Sequence, residues 1–204
     1  YRRFVQGEWA AAQGLVYDFF DESFVRPAPE GLEEWYISCD YGTVNPTSMG
    51  LWGRKDGIWY RTAEFYYDAR KMHRQKTDEE YADALAELAG GRDIRAVIVD
   101  PAAASFIETL RRRGWRVRRA DNRVLSGIRL TARLLKAGKL VICPGCGDAI
   151  REFALYRWEE QGDGQDRVRK ENDHAMDEIR YFAATVAERK GGGVYAGCVE
   201  RGRF

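Results

Sequence analysis

The apolar residues in the first half of the chain fall into three short runs with strand-like composition. The predicted strands are residues 35–40, 48–54 and 58–67. The turn sequence at 55–57 predicts that the last two strands form a hairpin. A capping-box sequence at Thr77 and Glu80 then predicts a helix that runs to Ala89 and ends at two glycines. The first half therefore predicts three antiparallel strands followed by a helix.

The second half of the chain alternates between strand-like and helix-like segments. The predicted strands are residues 95–100, 115–120 and 139–143. The predicted helices are residues 103–113, 125–137, 148–159 and 173–189, with a polar hairpin at 161–171. Three antiparallel strands followed by alternating units predict an α/β fold, in which a mixed sheet carries helices on both faces. This is the element order of the ribonuclease H-like fold, in which the first and fourth strands lie side by side.

The two ends of the chain differ from the region between them. Residues 1–31 carry scattered aromatic side chains without a sustained period, and they end in a proline-containing segment typical of a linker. We predict an arm at 1–31 that packs on a neighbouring surface, a folded domain at 32–190 and a flexible tail at 191–204. The chain begins with Tyr1 and has no signal segment, which is typical of a piece of a longer protein.

The composition is that of one globular domain. The chain has 204 residues, 45% of them hydrophobic and 13% aromatic, which is enough for a core. It contains no run of 18 apolar residues, so no transmembrane helix is predicted. Its four scattered cysteines favour a reduced cytoplasmic setting over a disulfide framework. Cys143 and Cys146 form a single CxxC pair without the second pair that a zinc site needs, which favours a plain turn.

Charge is distributed unevenly, although the net charge is only +1. Residues 111–139 contain eleven Lys or Arg and a single acid, Asp121, so the rest of the chain carries a net charge of −9. The cations are either solvated helix faces or a flank that binds phosphates by releasing counterions. The candidate DNA contacts in this segment are Arg111, Arg112, Arg113, Arg129 and Arg133.

Carboxylates stand at the ends of two predicted strands and at the start of the last predicted helix. Asp40 ends the first strand and Asp100 ends the fourth, while His174 and Asp177 share one helix face because they are three residues apart. Carboxylates that converge need cations, and hard oxygen ligands select Mg²⁺ or Mn²⁺. Two such ions roughly 4 Å apart are the usual device for phosphodiester cleavage. The pattern therefore predicts a metal-dependent nuclease.

The surroundings of the two strand-end aspartates allow a ligand site or an ordinary turn. After Asp40, Gly42 lets the backbone turn close to a ligand and Thr43 supplies a short polar group. Asp100 is held extended by the proline that follows it. Each aspartate could instead cap a turn or the next helix, and only their joint occurrence favours a common site.

The residues around the start of the last helix also allow more than one role. Asp173 could share the face of Asp177 or simply cap the helix. His174 could ligate a metal, orient a water or protonate the leaving oxygen. Lys170 could neutralise the scissile phosphate or be an ordinary surface lysine. His73 lies in a basic loop and is either solvated or a phosphate contact.

Four segments resemble, in family order, the C-terminal nuclease domain of the large terminase subunit of tailed bacteriophages. They are residues 1–9 (YRRFVQGEW), 40–47 (DYGTVNPT), 99–103 (VDPAA) and 172–181 (NDHAMDEIRY). The resemblance implies a ribonuclease H-like nuclease at 32–190, preceded by a linker from an ATPase domain. It implies that Asp40, Asp100 and Asp177 bind two divalent cations, Mg²⁺ or Mn²⁺, and that these residues and His174 are catalytic.

The resemblance also implies a biological setting. The substrate would be double-stranded viral DNA, cut during genome packaging in the cytoplasm of the infected bacterial host. The partners would be the N-terminal ATPase domain of the same polypeptide, the portal and the small terminase subunit, with no membrane involved. The chain contains no GxxxxGK[ST] phosphate-binding loop, so this part would cut DNA without hydrolysing ATP.

Three alternatives remain open at this point. A different nuclease or resolvase could use the same fold, because fold does not fix the substrate. An actin-like or sugar-kinase-type ATPase also has an Asp-x-Gly-Thr loop, but it needs a second phosphate loop and a second lobe. A non-catalytic DNA- or protein-docking module is the third alternative, which the retained acidic residues disfavour.

Overall fold

The computed structural model describes residues 14–159 and 167–188 and contains a six-stranded mixed sheet. The strands are β1 (Glu34–Asp40), β2 (Thr47–Lys55), β3 (Ile58–Tyr67), β4 (Ile94–Val99), β5 (Val117–Arg119) and β6 (Leu140–Ile142). Their order across the sheet is β5-β4-β1-β2-β3-β6. The first three strands are antiparallel neighbours, whereas β4 runs parallel to β1, β5 parallel to β4 and β6 parallel to β3. The predicted mixed sheet is confirmed.

Helices cover both faces of the sheet. They are α1 (Asp78–Ala89), α2 (Ala104–Arg112), α3 (Val124–Lys136), α4 (Gly147–Phe153) and α5 (His174–Phe182), with a π-helical turn over Ala183–Ala187. Leu85 of α1 and Phe106 of α2 share a core with Ile37 of β1. Ile128 of α3 and Phe182 of α5 belong to a second core. Successive side chains of a strand point to opposite faces of the sheet, so the strands contribute to both cores.

Local chemistry explains where several elements begin and end. The predicted capping box is present at α1, where the Thr77 hydroxyl accepts from the Glu80 backbone N–H and the Glu80 carboxylate accepts from the Thr77 N–H. The helix ends at Gly90, whose left-handed conformation of φ 55° suits glycine. This helix therefore follows its sequence signals closely.

The prediction of a helix over 148–159 is wrong in its second half, because α4 ends at Phe153. The backbone N–H groups of Leu155 and Tyr156 both bond back to the Glu152 carbonyl, and this closes the helix. The chain then pairs with the N-terminal arm, where the N–H of Val16 donates to the Tyr156 carbonyl at 3.0 Å. Tertiary pairing thus overrides the helical pattern here.

The described part of the N-terminal arm packs on the domain itself. Tyr17 and Phe20 are buried, and the Phe20 ring stacks on Phe153 with 3.9 Å between centroids. Further along, the N–H of Arg26 donates to the carbonyl of Ile142 in β6 at 3.0 Å. These aromatic side chains therefore pack on the domain itself, whereas the sequence analysis expected the arm to pack on a neighbouring surface. The domain boundaries stay a prediction.

Some predictions fall wholly or largely on residues outside the described ranges. They are the arm at 1–13, most of the polar hairpin at 161–171, the end of the last helix and the tail at 191–204. At the hairpin's flanks, Trp158 and Val168 form an antiparallel bridge. Within residues 14–159 and 167–188, no helix has the length and apolar character needed to cross a membrane.

Candidate active site

The carboxyl ends of β1, β3 and β4 meet at one edge of the sheet. Parallel strands end on the same side, and Cys39 of β1 lies opposite Val99 of β4. The aspartates that follow these two positions, Asp40 and Asp100, are therefore on neighbouring strands at the same edge. Helix α5 packs across β1 and β2 and begins near this edge. The fold thus brings together the three acidic segments that the sequence singles out.

Asp40 is paired with His174, the first residue of α5. The His174 Nδ1 atom lies 2.9 Å from Oδ2 of Asp40, and because a carboxylate can only accept, Nδ1–H is the donor. Burial raises the pKa of the Asp40 carboxyl, the His174 hydrogen bond opposes this rise, and the charge of Asp177 adds to it. Burial lowers the pKa of His174, but the bond and charge of Asp40 outweigh this and raise it. The pair therefore holds a proton at the mouth of the site.

Asp177 lies between two cations. Its Oδ1 is 2.8 Å from Nη2 of the buried Arg180, and its Oδ2 is 3.8 Å from Nζ of the exposed Lys170. Lys170 also lies 3.7 Å from Oδ2 of Asp173. Arg180 fits only because position 127 is glycine, where a Cβ atom would lie 2.3 Å from its Cγ. Asp177 thus has a buried cation on one side and an exposed cation on the other.

Asp100 is fixed by three donors. Its Oδ1 accepts from the Ala102 N–H at 2.8 Å, and its Oδ2 accepts from Tyr181 Oη at 2.9 Å and from Asn122 Nδ2 at 3.3 Å. Burial, followed by the charges of Asp40, Asp177 and Asp100, raises the pKa of Tyr181. The Tyr181 phenol therefore stays protonated and lies within electrostatic range of all three carboxylates.

A cavity of about 610 Å³ opens at this edge of the sheet. Its lining includes Asp40, Gly42, Lys170, Asp173, His174 and Asp177. Asp100 does not line it and is bonded to Tyr181 instead. Thr43 is exposed and lies outside the lining. Six of the thirteen predicted site residues are therefore together in one cavity.

The donor chemistry of this cavity fits a hard divalent cation. Asp40 and Asp177 supply carboxylate oxygens, and the buried Oδ1 of Asp177 has no aligned hydrogen-bond donor among the described residues. Within residues 14–159 and 167–188, however, no three His, Cys, Asp or Glu side chains are grouped in a way that could hold a metal ion. Asp40 faces His174 and Asp100 faces Tyr181 instead. The residues fit an ion by their chemistry, without a preassembled ligand geometry.

The predicted DNA contacts of residues 111–139 are not brought together. Arg112 lies 3.2 Å from Glu79, and Arg113 lies 2.5 Å from Asp83, so both are paired with carboxylates of helix α1. Arg129 and Arg133 belong to α3, which covers the opposite face of the sheet from α2. None of the five predicted arginines lines the cavity, whereas Lys170 does. The charge cluster of the sequence is therefore divided by the sheet.

Solved structures of phage terminases are similar to this chain in sequence and fold. A large terminase from a thermophilic bacteriophage, solved in complex with ADP, is 43% identical over 88% of this chain and superposes with a TM-score of 0.82. This chain belongs to the family of large-terminase nuclease domains. It spans about half of that ADP-bound terminase, namely 46% of its chain. No family model matches the chain, and no curated protein does.

Two isolated terminase nuclease domains share the fold at low identity. That of phage P22 is 16% identical over 86% of this chain and 93% of its own length, with a TM-score of 0.66. That of the thermophilic phage G20c, solved with bound magnesium, is 13% identical over 85% and 98%, with a TM-score of 0.63. The predicted ribonuclease H-like fold is thereby confirmed.

A buried ion pair behind the candidate active site was missed by sequence reasoning. Glu178, the neighbour of Asp177, is fully buried and accepts from Nε of the equally buried Arg61 at 3.0 Å. Its other oxygen accepts from Nε1 of Trp52 at 3.1 Å. At Gly50, a Cβ atom would lie 2.5 Å from both members of the pair. The pair anchors α5 to β2 and β3 at the turn that carries Asp177.

A second missed residue, Glu152, holds the start of α5. Its Oε2 accepts from the backbone N–H of Ala175 at 2.7 Å, and its Oε1 accepts from the Tyr66 hydroxyl at 2.7 Å. A carboxylate at this position satisfies an otherwise unpaired N–H and complements the helix dipole. The one sequence signal for Glu152 and Glu178 is a charged residue at a position where the helix pattern expects an apolar one.

Proposed function

We propose that this chain is a divalent-metal-dependent endonuclease that cuts double-stranded DNA. The observation that carries the proposal is the meeting of Asp40, His174 and Asp177 in one cavity, with Asp100 at the end of the neighbouring strand. The family membership and the magnesium and cobalt bound to the G20c nuclease support it.

Asp40, Asp100 and Asp177 would hold two divalent cations, Mg²⁺ or Mn²⁺, with Asp173 as a possible further ligand. When bound, such ions activate a water and stabilise the leaving oxygen of a phosphodiester. Oxygen donors select these hard cations over softer ones. The number of ions is part of the proposal.

The other residues of the cavity bind, orient and carry protons. His174, whose pKa is raised by its bond to Asp40, can supply a proton to the leaving oxygen or position a water. Lys170 is 68% exposed and free to move from Asp177 towards a phosphate. Tyr181 keeps the carboxylate of Asp100 in one orientation. These roles assign each side chain a distinct contribution to the same reaction.

We further propose that the reaction serves viral genome packaging in the cytoplasm of an infected bacterium. The nuclease would act with an ATPase domain, because the 43%-identical terminase, of which this chain spans about half, was solved with ADP and with an ATP analogue. The portal and the small terminase subunit would be its other partners. This chain would cut DNA without hydrolysing ATP, since it has no GxxxxGK[ST] loop.

A plasmid assay tests the proposal. Supercoiled DNA is incubated with the chain in Mg²⁺, in Mn²⁺ and in EDTA, next to a branched four-way junction and single-stranded DNA. Nicking and linearisation of the plasmid in either metal, and none in EDTA, are expected. Cutting confined to the junction would favour a resolvase instead, and cutting in EDTA would contradict a metal-dependent reaction.

A further inference from the structure

A basic loop, residues 68–76, forms one wall of the candidate active site. It begins where β3 ends, at the same sheet edge as Asp40, because β1 and β3 run in the same direction. Arg70 and Lys71 line the 610 Å³ cavity together with Asp40 and Asp177. Both cations are exposed. The loop therefore places positive charge at the rim of the cavity, where the helices α2 and α3 place none.

Specific hydrogen bonds hold this loop in place. Asp68 Oδ1 accepts from the backbone N–H of Arg70 at 3.1 Å, and the Tyr67 hydroxyl donates to the Arg74 carbonyl at 2.9 Å. The side chain of Arg70 donates to Oδ1 of Asn45 at 2.9 Å, in the loop that follows Asp40. The backbone of the basic loop and the turn after Asp40 are thus fixed relative to each other.

The charge of the loop is largely available to a ligand. Residues 68–76 contain four Lys or Arg and one acid, Asp68. Arg74 is paired with Glu80, and Lys71 lies 3.4 Å from Asp68 while remaining 74% exposed. Arg70 bonds the neutral Asn45, so its charge is not compensated by that contact. Arg70 and Lys71 therefore present positive charge to a polyanion at the cavity.

Apolar side chains accompany these cations. Val44 and Met72 are the exposed large hydrophobic side chains of the described residues, at 47% and 61% exposure. Met72 belongs to the basic loop, and Val44 belongs to the loop that follows Asp40. Val44 and Arg70 line a second, shallower cavity of about 250 Å³ beside the first. Exposed apolar groups next to cations suit a surface that contacts sugars as well as phosphates.

We propose that the basic loop is the DNA-docking element of this nuclease. Arg70 and Lys71 bind backbone phosphates beside the scissile bond, and Met72 packs against deoxyribose. Such contacts do not distinguish one base from another, so the docking is independent of the DNA sequence. The inference rests on the proposed function. In it, the basic loop takes the place of the arginines of residues 111–139 as the principal DNA contact.

The test measures binding of a fluorescent 30-base-pair duplex by anisotropy at several salt concentrations, in EDTA so that the DNA stays intact. The double variant Arg70→Ala/Lys71→Ala is compared with Arg95→Ala/Lys139→Ala, which removes two exposed cations at the opposite edge of the sheet. Each lost phosphate contact should reduce the slope of log K against log salt by about 0.9. A reduction of about 1.8 is expected for the loop variant and none for the control variant. Met72→Ser should weaken binding roughly threefold or more without changing the slope.

Equal slopes for the loop variant and the control variant would overturn the proposal, and wild-type affinity of Met72→Ser would contradict its apolar part. Plasmid cutting in Mg²⁺ by the same proteins distinguishes a failure of the docking proposal from a failure of the proposed function. A wild type that cuts DNA while the loop variant behaves like the control variant would refute only the docking element. A wild type that neither binds nor cuts DNA would refute the proposed function itself.

Discussion

Replacing Arg61 by methionine should strongly destabilise the fold, because it leaves Glu178 buried without its cation. Both side chains are fully buried, with Arg61 Nη2 lying 2.8 Å from Glu178 Oε2 and Nη1 lying 2.6 Å from Glu64. Breaking a buried ion pair from one side costs about 3–5 kcal/mol. For a chain of this size each kcal/mol lowers the midpoint of thermal unfolding by about 2–4 °C, so a decrease of roughly 6–20 °C is expected.

Urea unfolding followed by tryptophan fluorescence measures this effect, since Trp52 belongs to the network. The matched control is the double variant Arg61→Met/Glu178→Leu, in which no charge of the pair is left behind. Replacing a whole buried pair by apolar residues is often neutral or stabilising, so the double variant should recover much of the loss. A single variant within about 1 kcal/mol of wild type would refute the argument. A double variant as unstable as the sum of the two single variants would also refute it.

Three further predictions concern individual side chains. His174→Ala should cut DNA about 10²–10⁴-fold more slowly in the plasmid assay with an unchanged unfolding midpoint, because it loses the proton donor paired with Asp40; wild-type rates would return it to a structural role. Tyr181→Phe should lower the rate roughly 10- to 100-fold by freeing Asp100, and retained activity would show that Asp100 needs no such donor. Burial raises the pKa of Cys143 to about 11, so its alkylation at pH 8, located by mass spectrometry, should be at least about 100-fold slower in the native protein than in urea. Equal rates would contradict its burial.

The sequence signals predicted the outline of the site because they are local. Asp40 ends an apolar run, and His174 opens an amphipathic helix. Once the element order predicts that β1 and β4 are neighbours, the proximity of Asp40 and Asp100 follows from topology. The placement of these residues at one sheet edge could therefore be predicted, whereas their catalytic roles stay a prediction.

The remaining features depend on contacts between residues far apart in sequence. Arg61 and Glu178 are 117 positions apart, and each alone is typical of a surface residue until the fold places both in the core. The density of Lys and Arg along the chain predicted a DNA-binding flank at residues 111–139. The sheet separates α2 from α3, however, so these cations do not form one surface. The sparser loop at 68–76 lies at the cavity because β3 ends there. Local composition cannot distinguish these cases.

The central claim is that Asp40, Asp100 and Asp177 act as one metal-dependent site. The most direct test compares plasmid nicking by Asp40→Asn, Asp100→Asn and Asp177→Asn with that by Asp93→Asn, which changes an exposed carboxylate at the opposite edge of the sheet. Each of the first three should abolish nicking in both Mg²⁺ and Mn²⁺. Asp40→Asn and Asp100→Asn should not lower the unfolding midpoint, because removing one of several crowded carboxylates relieves repulsion. Asp177→Asn should lower the midpoint, because it leaves the buried Arg180 without its carboxylate. Asp93→Asn should cut like wild type. Nicking at the wild-type rate by any one of the three site variants would contradict the claim.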